Sequence, residues 1–343
     1  MKKKLGIWMT IAIGLILVLA ACGEKSQEDV AGDLKDNLED MSGYKAEAVM
    51  EMNTGQENQQ FNINILHKSE SEEEDFYRVG LANNQDEQGS QVILKNEDGV
   101  YVLTPALNKH FEFQSEWPDN SSQPYLYKSL VTDVLNDEEA EFTASESSYI
   151  FKTKTNYQSN NNLPFQEIHF DKDTLTPVLV NVLDQDENAL VQVEFSNFDT
   201  DPSFEDDDFT IDKNMETTAT VDEPVSGDGT EGQLTVLYPT YMAGADLTEK
   251  KDIELENGKR SILTFEGEKN FTLVEETTEV QPTLSSPQEV KGDIVNLGHT
   301  VGAMSDKTLE WSHDGVDFTL ASEELTREEL IEVAQSVQSQ EVK

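Results

Sequence analysis

Tyr44-Lys45-Ala46-Glu47-Ala48-Val49-Met50-Glu51-Met52 changes the period of the chain from helical to two. Apolar side chains on one side of such a stretch and polar ones on the other describe a strand with one buried face and one wet face. The pattern repeats outward from there. Asn53-Thr54-Gly55-Gln56 turns, and Gln60–His67 alternates again. Asp75–Leu81, Gln91–Lys95 and Val100–Thr104 follow, joined by Gly, Asn and Asp turns. Short alternating runs between turn residues predict an antiparallel meander. After an interruption the strand pattern resumes at Glu141–Ala144, Ser148–Thr155, Phe165–Asp171, Pro177–Leu183 and Leu190–Phe198. That gives about ten strands, and a twisted sheet of that size tends to curl.

Two amphipathic helices accompany the sheet. Val30, Leu34, Leu38 and Met41 form one apolar stripe over Gln27–Met41, with Ser26 as the N-cap and Gly43 as the stop. Leu126, Leu130, Val131, Val134 and Leu135 form a second over Pro124–Leu135. Aromatic residues gather near this second helix: Tyr101, Phe111, Phe113, Trp117, Tyr125 and Tyr127. They either pack helix against sheet or line an apolar cavity with Trp117–Leu135 as its lid. On the second reading the ligand pocket is Tyr101, Phe111, Phe113, Trp117, Tyr125, Leu126, Leu130 and Val134.

Toward the amino terminus, Lys2, Lys3 and Lys4 precede an uncharged apolar run from Leu5 to Ala21. This is the layout of a secretory signal. Leu19-Ala20-Ala21-Cys22-Gly23 resembles the lipobox of bacterial lipoproteins, which implies diacylglyceryl transfer to Cys22 and cleavage before it. Cys22 is the only cysteine in the chain, so it has no partner for an internal disulfide. Two or three acyl chains on one residue suffice for stable anchoring. The chain is therefore expected at the extracytoplasmic face of the cell membrane, held there by its lipid, with no other cofactor.

Toward the carboxyl terminus, dense acid at Glu205–Asp208 gives way to a Thr/Gly/Pro-rich stretch. A second strand series starts at Leu234–Pro239 and continues through Lys259–Phe265, Asn270–Glu275, Gly292–Leu297, Val301–Met304, Thr308–His313 and Val316–Leu320. Leu325–Ala334 closes it as a helix, with Thr326 and Glu329 spaced as a capping box. The expected organisation is a signal peptide over 1–21, a sheet domain over 22–215, an acidic linker over 216–232 and a small α+β domain over 233–343.

The formal net charge of -45 excludes nucleic acid as a partner, since no basic patch exists to neutralise phosphates. The acids describe either an acidic surface for a basic partner or, since they spread over the whole chain, a solvated surface suited to a salty exterior. No nucleophile elbow, zinc-binding helix motif, phosphate loop or paired-cysteine motif occurs. His67, His110, His169, His299 and His313 are scattered, and Asp184–Asn188 and Glu205–Asp208 lack the glycine and terminal glutamate of a calcium loop. The expectation is no catalytic residue, no metal and no enzyme.

Leu103-Thr104-Pro105-Ala106-Leu107-Asn108-Lys109, Phe113–Tyr125, Lys152–Tyr157 and Leu175-Thr176-Pro177 resemble the YdcC-type lipoproteins of spore-forming Gram-positive bacteria. The order of helix, meander, interrupting helix and more strands resembles the lipoprotein-carrier (LolA-like) superfamily, and the carboxyl-terminal part resembles the small domain of envelope anti-sigma regulators. The resemblance implies a mainly β, half-open antiparallel barrel with plugging helices. It also implies a sporulation or envelope role. The functions expected on this basis are binding of an apolar ligand (an acyl chain or hydrophobic peptide) or a protein segment in the half-barrel. The alternative is regulation through the extracytoplasmic part of a membrane protein.

Overall fold

A computed structural model describes residues 25–53, 59–71, 74–83, 90–105, 109–113, 122–156, 163–216, 236–255, 258–278, 288–290, 292–297, 300–313 and 315–338. Cys22, Trp117 and most of the expected linker lie outside the described residues. Among the described residues no helix is long and apolar enough to cross a membrane.

The protein is mainly β, built on two sheets with few helices. Helix α1 (Gln27–Asp40) opens the described chain. Its N-cap Ser26 accepts from the Asp29 backbone N–H, and the Asp29 carboxylate accepts from Ser26 N in return. Eleven strands follow: β1 (Gly43–Met52), β2 (Gln59–Ser71), β3 (Glu74–Asn83), β4 (Gln91–Lys95), β5 (Val100–Thr104), β6 (Lys109–Phe113), β7 (Glu141–Ala144), β8 (Ser148–Lys154), β9 (Phe165–Asp171), β10 (Pro177–Leu183) and β11 (Ala189–Asp199). Helix α2 (Tyr127–Asn136) stands between β6 and β7. These strands form one antiparallel sheet in the order β6-β5-β4-β3-β2-β1-β11-β10-β9-β8-β7. Gly43 opens β1 rather than ending α1 by a left-handed turn. A Cβ there would lie 2.5 Å from the His67 carbonyl oxygen, so close approach to β2 requires glycine.

The two faces of this sheet differ. On one, Tyr44, Ala46, Ala48, Met50, Phe61, Ile63, Ile65, Tyr77, Val79, Phe151, Phe170, Val180 and Val193 form the main core. Val30 and Leu34 of α1, and Leu130, Val131 and Val134 of α2, cover it. On the other, Leu66, Val92, Leu94, Tyr101 and Leu103 make a smaller cluster. Phe209 and Met215, with the partly buried Phe204 and Ile211, strap across that cluster; Ile211–Glu216 is a short helix, α3.

The second sheet contains β13 (Ala245–Leu255), β14 (Gly258–Gly267), β15 (Phe271–Thr278), β17 (Asp293–Asn296), β18 (Val301–Met304), β19 (Thr308–His313) and β20 (Val316–Ala321). Their order is β13-β14-β15-β20-β19-β18-β17. Helix α4 (Arg327–Gln335) carries the expected Thr326–Glu329 capping box and buries Leu330, Ile331, Val333 and Ala334. Two-residue strands β12 (Tyr238–Pro239) and β21 (Val337–Gln338) pair with each other.

The two sheets touch. Strand β16 (Gln288–Val290) pairs in parallel with β6 at the edge of the first sheet. Ile294, Val301 and Ala303 enter the main core. Gln91 of β4 donates to the Ser312 carbonyl and accepts from Thr300 Oγ1.

Candidate functional site

The residues expected to line one cavity fall on two faces. Strand parity decides this. In the β5–β6 ladder Val100 is opposite Phe113 and Val102 is opposite Phe111, while Tyr101 is opposite Glu112. Phe111 and Phe113 therefore join the main core, and Tyr101 turns to the opposite face among Leu94, Leu103 and Phe209. Tyr125, Leu126, Leu130 and Val134 are buried in the main core under α2. The space that these apolar side chains face is occupied by the chain's own helices.

Polar contacts fix α2 on that face. Tyr127 N–H donates to the Tyr44 hydroxyl, and the Asn37 amide of α1 donates to the Tyr127 hydroxyl at 2.9 Å. Lys128 Nζ lies 2.6 Å from Asp75 Oδ2, while His67 Nε2 lies 3.2 Å from Asp75 Oδ1. Burial pushes the Asp75 carboxyl up, but the His67 and Lys128 contacts outweigh it and hold the group well below the usual carboxylate range. Asp133 of α2 accepts from Ser122 Oγ and Gln166 Nε2. Here burial wins, and the carboxyl is pushed up to about 6.

A groove of about 480 Å³ opens on the other face. Its floor crosses β1, β2, β3 and β4, and Ser196 of β11 and Asn214 of α3 stand at its sides. Glu47, Asn64, Gly80 and Val92 are successive cross-strand partners on that floor, and Val49, Asn62 and Ala82 form the next row. Gly80 and Ala82 put almost no side-chain volume on the floor, which leaves it hollow. Arg78 lies along it: a Cβ built on Gly80 would meet Arg78 Nη1 at 3.3 Å. Arg78 Nε donates to Asn214 Oδ1 at 2.5 Å and Nη1 to Asn64 Oδ1 at 3.0 Å. Asn214 is itself fixed, since its amide donates to the carbonyls of Asp208 and Thr210. Burial draws the guanidinium pKa below its ordinary value and Asp208 opposes that shift; an arginine stays charged regardless.

The acidic run Glu205–Asp208 serves this strap. Lys213 Nζ lies 2.6 Å from Glu205 Oε2 and Asp207 Oδ1, and 2.9 Å from Asp208 Oδ1. The three carboxylates thus converge on an ammonium group. At the other acidic run, Asp184 Oδ1 accepts from the backbone N–H groups of Asp186 and Asn188 and caps the β10–β11 turn.

The architecture is that of a mainly β protein with a large antiparallel sheet, helices α1 and α2 on one face and a groove flanked by α3 on the other. Residues 2–209 match the family model described as "Sporulation protein YdcC-like". Over 346 aligned residues the chain is 46% identical to Sporulation protein YdcC of Bacillus subtilis (strain 168), and all of both chains is covered. The chain belongs to the YdcC-like sporulation protein family. Among solved structures, it is similar to the complex of Pseudomonas aeruginosa MucA/MucB, with 15% identity, 90% of this chain and all of that chain covered, and a TM-score of 0.34. A LolA superfamily protein from Nitrosomonas europaea is similar at 7% identity, covering 53% of this chain and 98% of that one, with a TM-score of 0.29.

Proposed function

We propose that this chain is a non-catalytic binding lipoprotein, anchored through diacylglyceryl-Cys22 at the extracytoplasmic face of the cell membrane and acting in sporulation or envelope maintenance. The sporulation role rests on the family. The anchor rests on Leu19–Gly23. The binding role rests on one observation, the groove on the outer face of a sheet whose inner face is filled by α1 and α2. Such a sheet, open at β7, is a half-barrel with its mouth plugged from within. A ligand then meets the chain from outside, where a concave surface with convergent polar groups is already formed. A protein segment bound there is the alternative occupant.

The test is native mass spectrometry of the mature chain extracted from membranes of sporulating cells. The expected spectrum contains a discrete non-covalent adduct in addition to the covalent lipid. A bare lipoprotein, recovered without any adduct or stoichiometric crosslinked partner, overturns the binding role.

A further inference from the structure

The chain has three arginines, Arg78, Arg260 and Arg327, among 69 acidic residues. Two of them hold carboxylates: Arg260 pairs with Glu276, and Arg327 Nη2 lies 2.7 Å from Asp293. Arg78 does not. Among the described residues no carboxylate comes within ion-pair distance of its guanidinium, which is held by two amide oxygens instead. The arrangement fixes the fork without a direct carboxylate contact, Asp208 acting on it only from a distance. Nε and one N–H of Nη1 are used, and the remaining donors have no acceptor among the described residues. They belong to a half-buried side chain that lines the groove.

From this geometry we infer that the groove is an oxyanion-binding site, with Arg78 as the recognising residue and an amphiphile as its ligand. A guanidinium positioned but not held by a carboxylate presents a planar donor fork that matches a carboxylate or phosphate. Asn64 and Asn214 hold it in place before the ligand arrives, so little side-chain freedom is lost on binding. Beside it, Val49, Ala82, Val92 and Pro105 supply an apolar wall. A groove of about 480 Å³ is in the range of small-ligand sites. The ligand is therefore an anionic head carrying an apolar body. Glu47, at the same floor, restricts the site to one anionic head by repelling a second. Gly80 is part of the site because any side chain there would lie against the guanidinium.

This inference rests on the binding role proposed above and gives it a location and a chemistry. The experiment titrates the full mature chain with submicellar dodecanoate, dodecyl phosphate and dodecanol, followed by calorimetry. Dodecanoate and dodecyl phosphate separate the two sources of the oxyanion, and dodecanol is the neutral control. At least one anion is expected to bind one-to-one and at least tenfold more tightly than the alcohol. Arg78→Gln is expected to abolish that preference. Ala82→Leu, which fills the floor without removing an Arg78 hydrogen bond, is expected to weaken all three probes. Thermal melting confirms that both variants fold, and Ala82→Leu carries the test if Arg78→Gln does not. Equal binding of alcohol and anions, or undiminished anion binding in the folded variants, overturns the assignment. If the adduct from membranes persists on Arg78→Gln, binding itself stands and only the Arg78 site fails.

Discussion

Glu275 lies at the centre of β15 with no exposed surface. Both of its carboxylate oxygens lie 3.1 Å from the Leu237 backbone nitrogen, so the group receives the chain as it enters β12. Burial pushes its pKa up from 4.5 to about 7; the Leu237 N–H opposes the shift. Below about pH 4.5 the folded and unfolded states both hold the proton and the group costs nothing. Between about pH 4.5 and 7 the folded state keeps a proton that the unfolded state has lost, so stability falls as pH rises. Above that the full penalty applies, about 3 kcal/mol for the shift. Glu275→Gln keeps the shape and an acceptor for Leu237 but cannot ionise. Its extra amide donors cost about 1 kcal/mol at every pH. Urea unfolding of both proteins from pH 4 to pH 8 is the assay. The stability of the variant relative to wild type should rise by about 3 kcal/mol across that range. Parallel stability curves would refute the reasoning.

Other outcomes follow from the same structure. Leu130→Ala, at a fully buried position between α2 and the sheet, should cost about 2–5 kcal/mol in urea unfolding. Gly43→Ala forces a methyl group against the His67 carbonyl and should destabilise by about 1–3 kcal/mol on the same assay, whereas Gly32→Ala, with open space around it in α1, should stabilise by roughly 0.5–1 kcal/mol. Cys22→Ala should eliminate incorporation of labelled fatty acid and leave the precursor uncut; normal labelling contradicts the anchor. Molar NaCl should raise the melting temperature, because a net charge of -45 repels itself at low salt.

Short apolar or alternating runs bounded by turn residues were legible as strands. Gln91–Lys95, Val100–Thr104, Phe165–Asp171 and Val301–Met304 run where their residues predict, and the Ser26 N-cap and the Thr326–Glu329 capping box form where the sequence places them. Four strands carried no such signal, one of them, Val337–Gln338, because it is two residues long. Ala245–Leu255 is an edge strand exposed along most of its length, so Glu, Lys and Asp occupy both of its faces. Lys109–Phe113 reads as part of an aromatic cluster because Phe111 and Phe113 stand close in sequence to Trp117, Tyr125 and Tyr127. Gln288–Val290 depends on a parallel pairing with a strand far away in sequence. The groove was hidden for a related reason. Asn64 and Asn214 are 14 and 136 residues from Arg78, and only the fold brings them together. The available hint was local: a rare arginine on the wet face of a strand, followed at the next two same-face positions by Gly80 and Ala82. Tyr101 is close in sequence to the other aromatic residues of the expected pocket, but strand parity turns it to the opposite face.

The central claim is that ligands meet this protein on the outer face of its large sheet, while the inner face is core. Methyl NMR during titration with dodecanoate tests it most directly. The account predicts shifts at Val49, Ala82 and Val92, with Leu130, Val131 and Val134 unmoved. Shifts confined to Leu130, Val131 and Val134, with the groove methyls silent, would contradict it and place binding beneath α2.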